Sequence, residues 1–154
     1  MIIELLLMTQ TVTVSELKVV KEEVVEQWEA VKRTDPITDE RSCFVMPSFN
    51  AKTRPEMAAI LGTGFAYITT GNDVYPGSDA AVRVDSNKPF FWNSDGGPKS
   101  RNHITAQVIS QLRKPGKHNV TVKWIGWPSR APFTETFDAG NFVQAWDECK
   151  AWIR

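Results

Sequence analysis

The chain has 154 residues, of which 42% are hydrophobic, and its 18 Lys and Arg balance its 18 Asp and Glu. This length fits one domain whose core needs no metal support, and the hydrophobic fraction excludes a disordered chain. Because a neutral chain has no long-range field to attract a polyanion, we predict no nucleic-acid partner.

The chain begins with an apolar stretch, MIIELLLM, at residues 1–8. It is apolar enough for the core of a signal peptide, but it is too short to span a bilayer, and we predict no membrane span. Glu4 interrupts the stretch, no Lys or Arg precedes it, and no Ala-x-Ala site follows. Three interpretations stay open: a defective signal peptide, a non-native remnant or an ordinary first strand.

The domain that we predict starts at Trp28. Apolar residues at helical spacing predict a helix over 15–26, so residues 1–27 form an N-terminal segment. Residues 28–154 form a single β-rich domain. Alternating apolar residues between turn signals predict its strands, six to eight in number. The first starts near Trp28, and the others cover residues 42–46, 57–61, 65–70, 80–85, 89–92, 120–124 and 133–137.

Two helices complete the predicted domain. One covers about 103–113, with Asn102 as its N-cap, and Pro115-Gly116 ends it. The other covers 141–153, where apolar residues recur at helical spacing and Trp146 is expected to be buried. The fold class is therefore α+β and mainly β. We expect a compact antiparallel β-sandwich or barrel-like sheet covered by a C-terminal amphipathic helix.

Cys43 and Cys149 are the two cysteines of the chain. They are either two buried thiols or one long-range disulfide, which would form if the closing helix covers the end of the sheet that holds Cys43. No Cys-x-x-Cys is present, and His103 and His118 lie far from both cysteines in the sequence. We therefore predict no metal site and no cofactor.

The sequence contains no catalytic signature. Ser and His residues are present, but no Gly-x-Ser-x-Gly turn accompanies them, and we predict no catalytic residue. Turn formation explains the carboxylates of Asp35, Asp39 and Glu40 better than a hard cation does. Solvated surface explains the spaced basic side chains of Lys99, Arg101, Arg113, Lys114 and Lys117.

Binding is the function that the aromatic residues favour. Six Trp are present, and most of them are expected in the core. Trp127 follows Gly126 and precedes Pro128 at a predicted hairpin tip, so we expect it to be partly exposed. With Tyr75 and Trp92, which also lie in or beside predicted loops, it forms our candidate contact patch, and a sheet face is the alternative interaction surface.

The order of elements carries a family resemblance over residues 28–153. A strand led by Trp28 precedes a turn and a strand with Cys43, and later come the segments Val82-Arg83-Val84-Asp85, Leu112-Arg113-Lys114-Pro115-Gly116 and a closing helix with Gly140, Phe142, Ala145 and Cys149. This order resembles the invasion-associated locus B family and the related envelope accessory proteins found near type VI secretion systems. Asn141 separates Gly140 from Phe142, where the family has a Gly-Phe-x-x-Ala type helix.

The resemblance implies a periplasmic or secreted protein without assigned chemistry. We expect a non-enzymatic envelope accessory or binding module, whose partner is another protein or an envelope component. Two alternatives stay open. One is a small hydrolase acting on an envelope or nucleic-acid substrate, and the other is a cytoplasmic or phage-encoded interaction protein.

Overall fold

The structure is a computed structural model that describes residues 27–71 and 73–154. Within these ranges the chain forms eight strands, in two antiparallel four-stranded sheets, and two α-helices. The predicted α+β class, mainly β with a C-terminal helix, is confirmed. The apolar stretch at 1–8 and the helix predicted over 15–26 lie outside the described residues.

The first sheet consists of the first four strands in sequence order. They are β1 (Trp28–Thr34), β2 (Arg41–Pro47), β3 (Met57–Gly62) and β4 (Phe65–Thr70). Cys43 lies opposite Leu61, and Val45 lies opposite Ala59. All four of these side chains are buried, so one face of this sheet contributes to the core.

The second sheet has the order β6-β5-β7-β8. Its strands are β5 (Asp79–Val84), β6 (Phe90–Asn93), β7 (Asn119–Ile125) and β8 (Pro132–Asp138). Along β7, buried Val120, Val122 and Trp124 alternate with more exposed residues, as the sequence pattern predicts. The predicted β7–β8 hairpin is confirmed, with Trp124 opposite Phe133.

The turn between β1 and β2 contains Asp35, one of the three acidic residues for which turn formation is the favoured explanation. Asp35 Oδ1 accepts hydrogen bonds from the backbone N–H groups of Ile37 (2.7 Å) and Thr38 (3.0 Å). These bonds to the ionised form lower the pKa of Asp35. Asp39, with φ of 57°, closes the same turn. The geometry agrees with a structural role for the Asp35 carboxylate.

The first helix, α1 (Asn102–Leu112), provides hydrogen-bond acceptors for backbone N–H groups at the free edge of the first sheet. Asn102 was expected to cap this helix, but it has no capping bond there and instead accepts a hydrogen bond from Ala66 N–H at 3.0 Å. Thr105 Oγ1 accepts a second one from Ile68 N–H at 3.0 Å. Both N–H groups belong to β4, an edge strand whose donors would otherwise lack partners.

The second helix, α2 (Phe142–Ile153), packs on β1, β2 and β3. Its buried residues are Phe142, Ala145, Trp146 and Cys149, and Trp146 is 6% exposed, which confirms the prediction for that residue. Cys149 forms a disulfide with Cys43 of β2, with the two Cα atoms 5.4 Å apart. Neither helix of the described chain is long and apolar enough to cross a membrane.

Asn141 joins the start of α2 to the start of β1. Its Oδ1 accepts hydrogen bonds from the backbone N–H groups of Gln27 (3.0 Å) and Trp28 (2.9 Å), and its Nδ2 donates to Trp28 O (2.9 Å). The Trp28 ring then packs edge-on against Phe142, with the ring centroids 4.9 Å apart. Asn141 therefore holds two segments that are distant in sequence together.

We predict that Asn141→Ala lowers the free energy of unfolding by about 2–4 kcal/mol, because it leaves buried backbone groups of β1 without hydrogen-bond partners. Urea denaturation of the purified protein measures this loss. Gln144→Ala, at an exposed position of the same helix, is the control and should change stability little. Equal effects of the two substitutions would contradict the role of Asn141.

Candidate functional site

The β7–β8 hairpin ends in a tightly bonded turn. Gly126 N–H donates to Ala131 O at 2.8 Å, and Arg130 N–H donates to Gly126 O at 2.9 Å. The Trp127–Pro128 peptide bond is cis. Trp127 N–H also donates to Asp73 O at 2.7 Å, so the turn is bonded to the segment that precedes β5.

Three side chains cluster at this turn, and we call them the aromatic tip: Tyr75, Trp127 and Arg130. The rings of Tyr75 and Trp127 lie 5.2 Å apart, and the Arg130 guanidinium lies 4.5 Å from the Tyr75 ring. Arg130 also donates a hydrogen bond to the Tyr75 hydroxyl at 2.5 Å. Trp127 is 53% exposed, which confirms the predicted partial exposure. The cluster thus combines a fixed geometry with a large accessible ring.

A groove of about 600 Å³ adjoins the aromatic tip. Trp127 and Phe133 line it, and Phe133 is 46% exposed while it stacks on Trp124 at 5.4 Å. Arg54, Glu56 and Glu135 supply charged groups to the same groove. The groove is therefore an amphipathic surface with aromatic walls.

Trp92 does not join the other two predicted contact residues. It is 7% exposed and pairs with Ala80 across the β5–β6 ladder, whereas its neighbour Phe91 is 63% exposed. Successive side chains of this strand point to opposite faces of the sheet, and that of Trp92 lies on the buried face. Val74 and Trp92 line a separate cavity, whereas the adjacent Tyr75 belongs to the aromatic tip.

Sequence reasoning missed two residues of this surface. Phe133 lies directly opposite Trp124 in the hairpin, and a register drawn from the predicted strands would have placed the two rings together. Arg130 has no comparable sequence signal, because its contact with Tyr75 depends on how the turn folds back.

Two of the loop serines and both imidazoles make local hydrogen bonds. Ser78 Oγ and Ser94 Oγ both donate to Tyr75 O, at 2.6 and 3.1 Å. His103 Nε2 contacts Gln107 Nε2, one helical turn away. Across residues 27–71 and 73–154, no three His, Cys, Asp or Glu side chains form a group that could hold a metal ion.

His118 is held by acceptors on both ring nitrogens. Its Nδ1 lies 2.7 Å from Asp85 Oδ2, and its Nε2 lies 2.6 Å from Lys114 O. Both contacts favour the doubly protonated ring, so the carbonyl of Lys114 and the carboxylate of Asp85 raise the pKa of His118. The same pair lowers the pKa of Asp85, which also accepts a bond from Asn119 N–H. This pair ties the end of α1 to β5 and β7.

We predict that the stability contributed by His118 is complete below its unfolded pKa of about 6.5 and is lost as pH rises through the higher folded pKa. Urea denaturation across pH 5.5 to 9 should show this decline. His118→Gln should remove it, whereas His103→Gln should leave it in place. A decline of the same size in the His118→Gln variant would contradict the assignment.

No protein-family model matches this chain, and no curated protein or solved structure is significantly similar to it. The resemblance to the invasion-associated locus B family therefore remains a prediction that depends on the residues quoted for it.

Proposed function

We propose that this protein is a non-enzymatic protein-binding module of an oxidising compartment, periplasmic or extracellular, and that it binds its partner through the aromatic tip. The observation that carries this proposal is the exposed Trp127, fixed against Tyr75 and Arg130. Trp, Tyr and Arg are the residue types that dominate the binding energy of protein interfaces.

The geometry of the tip reduces the entropic cost of binding. Trp127 is held by its ring contact with Tyr75 and by its backbone bond to Asp73, so little side-chain freedom is lost when a partner covers it. Arg130 has no carboxylate partner among the described residues, and its guanidinium is available to an acidic side chain of the partner. Phe133 extends the apolar surface into the groove.

The disulfide supports the choice of compartment. Cys43 and Cys149 are both fully buried and joined across 106 positions of sequence. Structural disulfides persist in the periplasm and outside the cell but are rare in the cytosol. The family resemblance implies the same location.

Both histidines and two of the loop serines are engaged in local hydrogen bonds. This engagement favours binding over hydrolysis.

The proposed binding surface is tested by cross-linking followed by affinity measurement. A photo-reactive amino acid at position 133 of the full chain, expressed in its native envelope, should capture a protein that mass spectrometry identifies. With that partner purified, Trp127→Ala should weaken the Kd measured by calorimetry by roughly thirtyfold, about 2 kcal/mol.

Phe91→Ala is the matched control, because Phe91 is another exposed aromatic that does not line the groove. It should leave the Kd unchanged. Equal weakening by both substitutions, or capture of glycan in place of protein, would overturn the proposal.

The compartment has its own test. Protein isolated from the envelope and denatured without reductant should contain no titratable thiol. Replacing both cysteines with alanine should then lower the free energy of unfolding by up to about 4.7 kcal/mol, because the loop released from its cross-link is about a hundred residues long. Two free thiols in the native protein would contradict the assignment to an oxidising compartment.

A further inference from the structure

Each sheet of the described chain has two outer strands, β1 and β4 in the first sheet and β6 and β8 in the second. Two of these strands carry common safeguards against pairing with a further strand, which are short length and exposed charge. β6 has only four residues. β1 carries exposed charged side chains, and one of them, Lys32, forms an ion pair with Glu148 of α2.

The edge of β4 is covered by the start of α1. The N–H groups of Ala66 and Ile68 already donate to the side chains of Asn102 and Thr105, so they are unavailable to another strand. Arg101 Nη1 also donates to Ile68 O, at 3.4 Å. The solvated surface expected for Arg101 is therefore wrong, since this residue is half-buried beside β4.

β8 differs from the other three outer strands. It has seven residues and no Lys or Arg, and among the described strands it pairs with β7 alone. Its ladder with β7 is flanked by two hydrogen bonds of 2.8 Å, from Gly126 N–H to Ala131 O and from Ala139 N–H to His118 O. Because hydrogen-bonded pairs alternate with other pairs in an antiparallel ladder, these two bonds determine which residues of β8 bond to β7.

The groups of β8 that do not bond to β7 belong to two threonines. The hydrogen-bonded positions are Phe133, Glu135 and Phe137. Thr134 and Thr136 lie between them, so their backbone N–H and C=O groups point away from β7. Both residues are exposed, and these backbone groups have no hydrogen-bond partner within the described part of the chain. Pro132 alternates with them, so the N–H that it lacks is one that β7 would not have used.

The free edge of β8 continues into the groove beside the aromatic tip. Thr134 and Glu135 line that groove together with Trp127 and Phe133. A strand added to β8 extends the sheet, so every second side chain of the new strand lies on the same face as Phe133 and Glu135. On that face, the exposed rings of Phe133 and Trp127 offer an apolar contact.

We propose that the partner adds an extended segment to β8, as a fifth strand of the second sheet. This inference rests on the proposed function and specifies the form of the partner. Its backbone bonds to Thr134 and Thr136, and its alternate apolar side chains pack against Phe133. The free groups recur at every second residue, about 6.8 Å apart, which is the repeat of another extended chain. A helix cannot supply them, because its own N–H and C=O groups bond to each other.

The experiment selects peptides from a random library against the immobilised full-length protein. Peptides of about twelve residues are long enough to pair with the seven residues of β8. The selected peptides should carry apolar residues at alternate positions, since backbone bonds supply affinity and alternate side chains supply specificity in strand addition. The best peptide is then synthesised, and calorimetry measures its Kd.

Two variants at one position separate the backbone from the side chain. Thr134→Pro removes one N–H of the free edge and leaves the bonds to β7 in place, so it should weaken the Kd at least about tenfold. Thr134→Val keeps that N–H and the shape of the side chain. It is the matched control and should change the Kd by less than about twofold.

Hydrogen exchange of the parent protein, measured by NMR, gives a readout that needs no variant. In the free protein, the amides of Thr134 and Thr136 should exchange faster than those of Glu135 and Phe137, which bond to β7. The bound peptide should slow the exchange of both threonine amides at least about tenfold. If Thr134→Pro does not melt cooperatively, this pattern alone decides.

The outcomes distinguish this inference from the proposed function. A peptide weakened by Trp127→Ala but not by Thr134→Pro, with both threonine amides unprotected, would overturn strand addition and leave the aromatic tip as the binding surface. A peptide weakened by Thr134→Pro but not by Trp127→Ala would support strand addition and contradict the role of the tip.

Three further results would overturn strand addition. The first is a selection that yields no peptide. The second is equal binding of the peptide to Thr134→Pro and Thr134→Val. The third is protection of the Thr134 and Thr136 amides in the free protein that increases with its concentration, because β8 would then pair with a second copy of the chain.

Discussion

The docking of the last helix on the first sheet is the constraint on which the remaining structure depends. The apolar stripe of α2 covers β1, β2 and β3, and the disulfide between Cys43 and Cys149 makes that contact permanent under oxidising conditions. Asn141 adds a second attachment at the start of the helix, where it bonds the backbone of Trp28. Hydrophobic area, a covalent bond and a buried amide thus act on one contact, and they fix the first strand and the last helix relative to each other.

This arrangement gives the molecule two different ends. In the second sheet, Val84, Asn119 and Asp138 lie at the end next to α2, together with the His118–Asp85 pair. Asp79 and the β7–β8 turn lie at the other end, where the aromatic tip is found. Loops at this other end carry the exposed ring of Trp127, and loops on a rigid scaffold are where binding residues are commonly found.

The regular elements were predictable because their patterns are local. Alternation identified β7, and helical spacing identified α2 with buried Trp146. The site was only partly predictable, because its geometry depends on which of two successive side chains in a strand faces the core. Phe91 and Trp92 are adjacent aromatics in a four-residue strand, and only packing decides that Trp92 is buried. Asn102 has the chemistry of a cap, but the open edge of β4 uses its oxygen instead.

The long sequence separation between Asn141 and Trp28 also determines when this contact can form during synthesis of the chain. Asn141 lies 113 positions after Trp28, so a ribosome must add those residues after Trp28 before this contact can form. Until the twelve residues of α2 follow, the face of the first sheet that carries Cys43 lacks its cover. Contacts so distant in sequence slow folding, and an uncovered sheet is prone to aggregate. A nascent chain threaded across a membrane during synthesis would therefore present the translocation machinery with no completed domain to unfold.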